Sequence, residues 1–118
     1  MTFRKEILYS FIDVNGRRII WYKDVYEAVL KDHPEVNTHL GIIEKTIKNP
    51  HQINQDVDYK NRLCYYLLFS GTDQYVNKSM KVVVSYNSLS RRYKILTAYF
   101  VDRIKKGEKT IWTKLKNN

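Results

Sequence analysis

The chain has 118 residues, 43% of them hydrophobic and 28% charged, with only four Gly and two Pro. That balance describes one folded domain with a buried core, and it excludes a disordered chain, a fibrous chain and a two-domain arrangement. The formal net charge is +9, from 21 Lys and Arg against 12 Asp and Glu, an excess that suits a nucleic-acid partner or an acidic protein better than small anionic metabolites.

Residues 7–22 predict a β-hairpin. Two runs rich in Ile, Tyr, Phe and Trp flank Val14-Asn15-Gly16-Arg17, and Asn-Gly is the strongest short hairpin signal when both turn residues take positive φ. Residues 23–32 predict a short helix, with Val25, Ala28 and Val29 at helical spacing. Pro34 ends it, because the residue before a proline disfavours helical geometry. A second helix is expected over residues 37–48, with Leu40, Ile43 and Ile47 on one stripe, Asn37 or Thr38 as its cap, and Asn49-Pro50 as its stop. Strands follow. Residues 51–56 read as a short edge strand and residues 62–69 as a long aromatic run. Residues 80–86 hold the β-branched Val82-Val83-Val84, and residues 93–101 alternate, with Ile95, Thr97, Tyr99 and Val101 on one face. Residues 71–79 form a polar loop, and the tail from 102 is basic, with one apolar patch at Ile111-Trp112. The expected fold is α+β: an N-terminal hairpin and two helices packed on a four-stranded antiparallel meander, in a single domain over 1–118, with the other sheet face open to a ligand.

The charge is uneven along the chain. Residues 1–50 sum to +1 and residues 51–118 to +8. Arg91, Arg92 and Lys94 form one tight cluster, and Arg103, Lys105 and Lys106 another. The first part reads as a balanced scaffold, and the second as a cationic surface or a basic face kept for solubility.

Several chemistries are absent from the sequence. There is no Gly-rich phosphate loop, no calcium loop, no Gly-x-Ser-x-Gly elbow, no RNA-recognition signature and no heptad repeat. His33, His39 and His51 are too scattered for a zinc motif, and Cys64 is the single cysteine, so neither a disulfide framework nor a metal or other cofactor is expected. No apolar run approaches the ~20 residues of a membrane span, and a cytoplasmic protein is expected. What remains is a set of His, Arg, Lys, Thr and Tyr. Those types suit metal-independent RNA cleavage, in which the 2′-hydroxyl attacks the adjacent phosphate. A base removes its proton, an acid protonates the leaving 5′-oxygen, and cations stabilise the crowded phosphorane.

Five blocks carry a resemblance: His33-Pro34-Glu35, Ile47-Lys48-Asn49-Pro50, Arg62-Leu63-Cys64-Tyr65-Tyr66, Lys81-Val82-Val83-Val84 and Ile95-Leu96-Thr97-Ala98-Tyr99-Phe100. In order and spacing, over about residues 20–112, they resemble the phage- and mobile-element-associated nucleases of the barnase–EndoU–colicin–RelE superfamily. The resemblance implies helices followed by a four-stranded antiparallel sheet, and cleavage of tRNA, rRNA or mRNA by a toxin or defence protein with a cognate immunity partner. It implies His33 as acid/base, Thr97 as a phosphate hydrogen-bonder, Arg62 and Lys81 as cations, and Tyr99 as an orienting ring. Tyr66, Arg103 and Lys105 complete the set as substrate-binding residues. The second proton-transfer role falls to His39, His51, a Lys or a Tyr. Other readings stand beside this one: a non-catalytic nucleic-acid-binding module, or a basic partner of an acidic immunity or regulatory protein. No oligomeric state follows from the sequence. His33 also suits a helix C-cap, and the tyrosines suit cross-strand pairs as well as stacking platforms.

Overall fold

A computed structural model describes residues 5–69 and 74–114. The elements run β1 (Ile7–Ile12), β2 (Arg18–Tyr22), α1 (Lys23–Asp32), a 3-10 turn (Pro34–Thr38), α2 (Leu40–Lys48), β3 (Gln52–Gln55), β4 (Arg62–Leu68), β5 (Ser79–Asn87), β6 (Arg92–Val101) and β7 (Lys109–Thr113). The class is α+β. In place of a separate hairpin and a four-stranded meander there is one seven-stranded mixed sheet, ordered β1-β2-β6-β5-β4-β3-β7. The hairpin joins it through a parallel pairing of Ile19 and Ile20 with Tyr93 and Lys94. At the other end, β7 rises from the basic tail and pairs antiparallel with β3, so β3 is an inner strand and not an edge. The polar loop expected over residues 71–79 is described only from Gln74 onward.

The hairpin forms where the Asn-Gly signal places it, but with different turn chemistry. The Gly16 N–H donates to the Asp13 carbonyl and the Asp13 N–H to the Arg17 carbonyl. Only Gly16 takes positive φ there, at 85°. This is a three-residue loop closed by a left-handed glycine, not a two-residue turn with both residues left-handed. Asp13 has its side chain turned inward, where it accepts from the backbone N–H groups of Asn15 and Arg17 and from the hydroxyl of buried Tyr65.

Helix α1 has the bounds its periodicity predicts and buries Tyr26 and Val29. Its end is set by Pro34: His33 sits at the C-cap, with its N–H on the Val29 carbonyl at 2.7 Å. The second helix is shorter than residues 37–48. Residues 34–38 tighten into 3-10 geometry, α2 starts at Leu40, and His39 is its N-cap, so neither Asn37 nor Thr38 takes that place. Asn49 caps its C-terminus, as the Asn-Pro stop requires. Helix α1 packs on β1, β2 and β6, and α2 on β1, β4 and β5. Ile19, Trp21, Val29, Val36, Ile43, Ile47, Ile53, Tyr65, Met80, Val82, Val84, Ile95 and Ala98 fill the layer between the helices and the sheet.

A bulge in β6 sets what the far face displays. Val83 pairs with Thr97 but Val84 pairs with Ile95. Leu96 is therefore an extra residue, and the alternation reverses across it. Ile95 joins Ala98 in the helix-covered core, and is not on the Thr97–Tyr99–Val101 face that simple alternation predicts. Leu96 and Val101 instead pack with Cys64, Tyr66 and Val83 on the opposite face.

Candidate functional site

On that opposite face, registry across three strands aligns Tyr66, Lys81 and Tyr99. Lys81 is 5% exposed. Its Nζ lies 5.5 Å from the Tyr66 ring centroid and 6.0 Å from that of Tyr99. The Tyr99 ring also stacks on the His33 imidazole, with centroids 5.0 Å apart and planes 19° apart. Residues from the end of α1 and from β5 therefore meet around Tyr99 of β6, with Tyr66 of β4 on the other side of Lys81. His33 does two things: its backbone ends α1, and its ring turns to the site. Its Nδ1 lies 3.7 Å from the Glu35 carboxylate, so a carboxylate faces one edge of the ring and Nε2 occupies the other.

The 3-10 turn places a second histidine on the same residue. His39 Nδ1 donates to the Glu35 carbonyl at 2.7 Å. His51 lies elsewhere: it is exposed, and its Nδ1 accepts the Leu68 N–H. Of the two histidines among the alternatives left open, His39 contacts the same residue, Glu35, as His33 does.

The remaining expected residues are dispersed. Thr97 is half-buried and two residues before Tyr99 on β6, about 7 Å along the strand. Arg62 begins β4, paired with Ser85, and its guanidinium lies 3.9 Å from the Tyr59 ring centroid. It is four residues from Tyr66, about 13 Å along the strand, so it is not part of the Lys81 cluster. Arg103 and Lys105 are exposed on the connection between β6 and β7. Partial burial opposes the charge of Asp56, but the Asp58 and Tyr59 N–H groups, and after them Lys105 and Arg62, hold its carboxyl below the usual range.

One important residue was not anticipated. Glu108, from the basic tail, puts Oε2 2.9 Å from Lys81 Nζ, with side-chain exposures of 0% and 6%. Its Oε1 accepts from the Tyr66 hydroxyl and from Asn54 Nδ2. Gly107, at φ 91°, makes the turn that delivers it, and a Cβ there would lie 3.2 Å from Val57. Burial opposes the Lys81 charge, but Glu108 and Tyr66 raise its pKa above the usual lysine range. A single acid among Lys105, Lys106 and Lys109 looks like a solvated charge; the glycine before it is the one local signal of a tight approach.

Asp56, Cys64 and Glu108 bring three potential metal-ligand atoms within 4.8 Å of one another. Glu108 is committed to Lys81, Tyr66 and Asn54, and Asp56 accepts from the Asp58 and Tyr59 N–H groups. The Cys64 thiol is pushed up to about 12, chiefly by burial and then by Glu108, so without a metal cation beside it the thiol is a protonated donor. Cys64 is accordingly expected to resist a thiol-reactive disulfide reagent at pH 7.5 and to react within minutes once the chain is unfolded in urea. Comparable rates in the two states would contradict its placement.

A scan of the chain against protein-family models, a search of curated proteins and a search of solved structures each found no match. Among the described residues, no helix is long and apolar enough to cross a membrane.

Proposed function

We propose that this chain is a metal-independent endoribonuclease that cleaves RNA by 2′-hydroxyl attack, with His33 as general acid/base. The observation that carries the reading is the His33 ring, facing the Glu35 carboxylate and stacked on Tyr99 beside Lys81. His39, on the other side of Glu35, is the candidate for the second proton transfer. Thr97 and Tyr99 lie on the same strand face and would contact the phosphate and ribose. Arg62, Arg103 and Lys105 would act as outlying cations along the RNA backbone. The block resemblance to the barnase–EndoU–colicin–RelE superfamily supports the same chemistry. A toxin or defence role, a tRNA, rRNA or mRNA target and an acidic immunity protein as partner belong to this proposal.

The test is incubation of the purified protein with RNA in EDTA. Fragments ending in 2′,3′-cyclic phosphate are expected, and His33→Ala should lower the rate about 10²–10⁴-fold, the usual contribution of general acid–base catalysis. RNA that stays intact through prolonged incubation would overturn the reading.

A second reading has its own observation. Lys81 is already paired with Glu108 inside the fold, so its charge is not presented to a phosphate as the cation role requires. That favours a non-catalytic nucleic-acid-binding module using the exposed cations. Such a module would bind RNA equally well with His33→Ala, with an affinity falling steeply and linearly on a log–log plot against salt.

A further inference from the structure

Arg62 stands apart from the Lys81 cluster but belongs to a row of its own. Registry across β4, β5 and β6 sets Arg62 opposite Ser85 and Ser85 opposite Lys94. Residues directly opposite one another leave a sheet on the same face, here the face of Val83 and Lys81, two and four residues earlier on β5. The two cations are therefore about 10 Å apart at the backbone, with one small hydroxyl between them. The Arg62 guanidinium rests on the Tyr59 ring and helps to keep Asp56 ionised. Lys94, unlike Lys81, has no carboxylate partner among the described residues.

A cavity of about 350 Å³ lies at this row, beside the β5–β6 turn, with Asn61, Ser85, Asn87, Ser88 and Lys94 in its wall. Among the described residues, no carboxylate lines it. Its amides are turned toward donation. Asn87 Oδ1 is occupied by the Leu89 and Ser90 N–H groups, at 2.9 and 3.2 Å, which leaves its Nδ2. Asn61 Nδ2 donates to the Tyr86 carbonyl at 3.3 Å and keeps a second hydrogen. Ser85 is the deciding residue. It is 7% exposed, yet its hydroxyl has no hydrogen-bond partner among the described residues. Its oxygen is not a sealed one, as Trp21 Nε1 is, so the exposure that Ser85 keeps is at the cavity it lines. A hydroxyl more than nine-tenths buried and left unpaired costs free energy that a hydrogen-bonding ligand recovers.

We infer that this cavity binds a phosphate monoester, with Lys94 as the cation, the Ser85 and Ser88 hydroxyls and the Asn61 and Asn87 amides as donors, and Arg62 adding positive potential from the other end of the row. The three terminal oxygens of a monoester match several donors gathered around one ammonium, whereas a backbone phosphodiester offers two. Lys94 is five residues before Tyr99 on β6, about 16 Å along the strand, so the site is separate from the groups around Tyr99 and does not depend on the ribonuclease reading.

The experiment titrates the wild-type protein with inorganic phosphate and with ribose 5-phosphate at constant ionic strength, following amide resonances, with dimethyl phosphate as the diester control. Both phosphates should shift the signals of Asn61, Ser85, Asn87, Ser88 and Lys94 to saturation. Dimethyl phosphate should bind about tenfold more weakly or worse, since one hydrogen bond to a charged group is worth at least that factor. Ser85→Ala and Lys94→Gln should each weaken phosphate binding by a similar factor, and Lys94→Arg should retain it. Should Ser85→Ala fail to fold, Lys94→Gln decides alone. Shifts that track salt across all the basic clusters, shifts confined to His33 and Tyr99, or binding undiminished by Lys94→Gln would overturn the site. Equal binding of dimethyl phosphate would overturn its assignment to a monoester.

Discussion

Glu108→Ala is expected to be among the most damaging single substitutions in the protein, costing about 3–5 kcal/mol of folding stability, the range for breaking one side of a buried ion pair. The reason is what it leaves behind. Lys81 is 5% exposed on a central strand, and without Glu108 its ammonium has no counter-charge inside the fold. The Tyr66 hydroxyl and Asn54 amide lose their acceptor in the same step. The pair itself need not stabilise the fold, because taking both charges out of water offsets most of their attraction. Replacing both, as Lys81→Met with Glu108→Leu, should therefore recover most of the loss; urea unfolding of the three variants decides. The pH dependence separates them further. In the wild type the folded-state pKa of Lys81 is raised, so its contribution is complete below the unfolded value near ~10.4 and is lost as pH rises through the folded value. In Glu108→Ala the largest raising cause is gone and burial is opposed chiefly by Tyr66, so the folded pKa of Lys81 falls from its wild-type value and the stability lost with rising alkaline pH should be smaller in that variant. A variant with flat pH dependence and a loss below ~1 kcal/mol would show that the pair is solvated.

Asp13→Ala is the second large effect, expected to cost about 2–4 kcal/mol by chemical denaturation, from an orphaned buried donor together with a lost turn anchor. Asp13 is 5% exposed and accepts from the Tyr65 hydroxyl, 52 residues away in sequence and wholly buried on β4. It also accepts from two turn N–H groups and lies 3.6 Å from the Arg17 guanidinium. The same turn touches α2 through the Val14 N–H and the Ile47 carbonyl. One carboxylate thus ties the hairpin tip to the sheet. With Tyr65→Phe in the background, the donor that Asp13→Ala would orphan is gone, so the two losses should be less than additive, with a coupling of about 1–3 kcal/mol. Strict additivity would mean that the hydroxyl reaches water in the folded state.

Local chemistry made much of the chain legible. Asn15-Gly16 marks the hairpin, Pro34 and Asn49-Pro50 end the helices, and the β-branched and aromatic runs give β4, β5 and β6. The illegible parts depend on partners distant in sequence. Nothing in Arg18–Tyr22 says that it pairs parallel with Tyr93 and Lys94. Nothing in Lys109–Thr113, a polar stretch around Ile111-Trp112, says that it completes a sheet beside Gln52–Gln55. The bulge at Leu96 could not be seen because both alternations of β6 place apolar residues on each face. For the site, the His-Pro-Glu block and Tyr99 were legible as types and are adjacent in space. Arg62 was grouped with them by its block, although its place four positions before Tyr66 on one strand puts it about 13 Å away. Lys81 read as a free cation because its counter-charge enters from a turn 27 residues later.

The parallel pairing of β2 with β6 also bears on the order in which the protein can fold as it is made. Ile19 and Trp21 on β2 are fully buried, and β6, against which the strand docks, begins at Arg92. The ribosome therefore releases the hairpin and both helices well before their central neighbour exists. At synthesis rates of ~5–20 residues per second, the intervening stretch corresponds to several seconds of exposed apolar surface. Docking must then close a loop of some seventy residues, an entropic demand that slows folding more than it weakens the folded state. The hairpin and helices are thus the part of this chain that waits longest for its central neighbour during synthesis, and β6 is the strand whose arrival ends that wait.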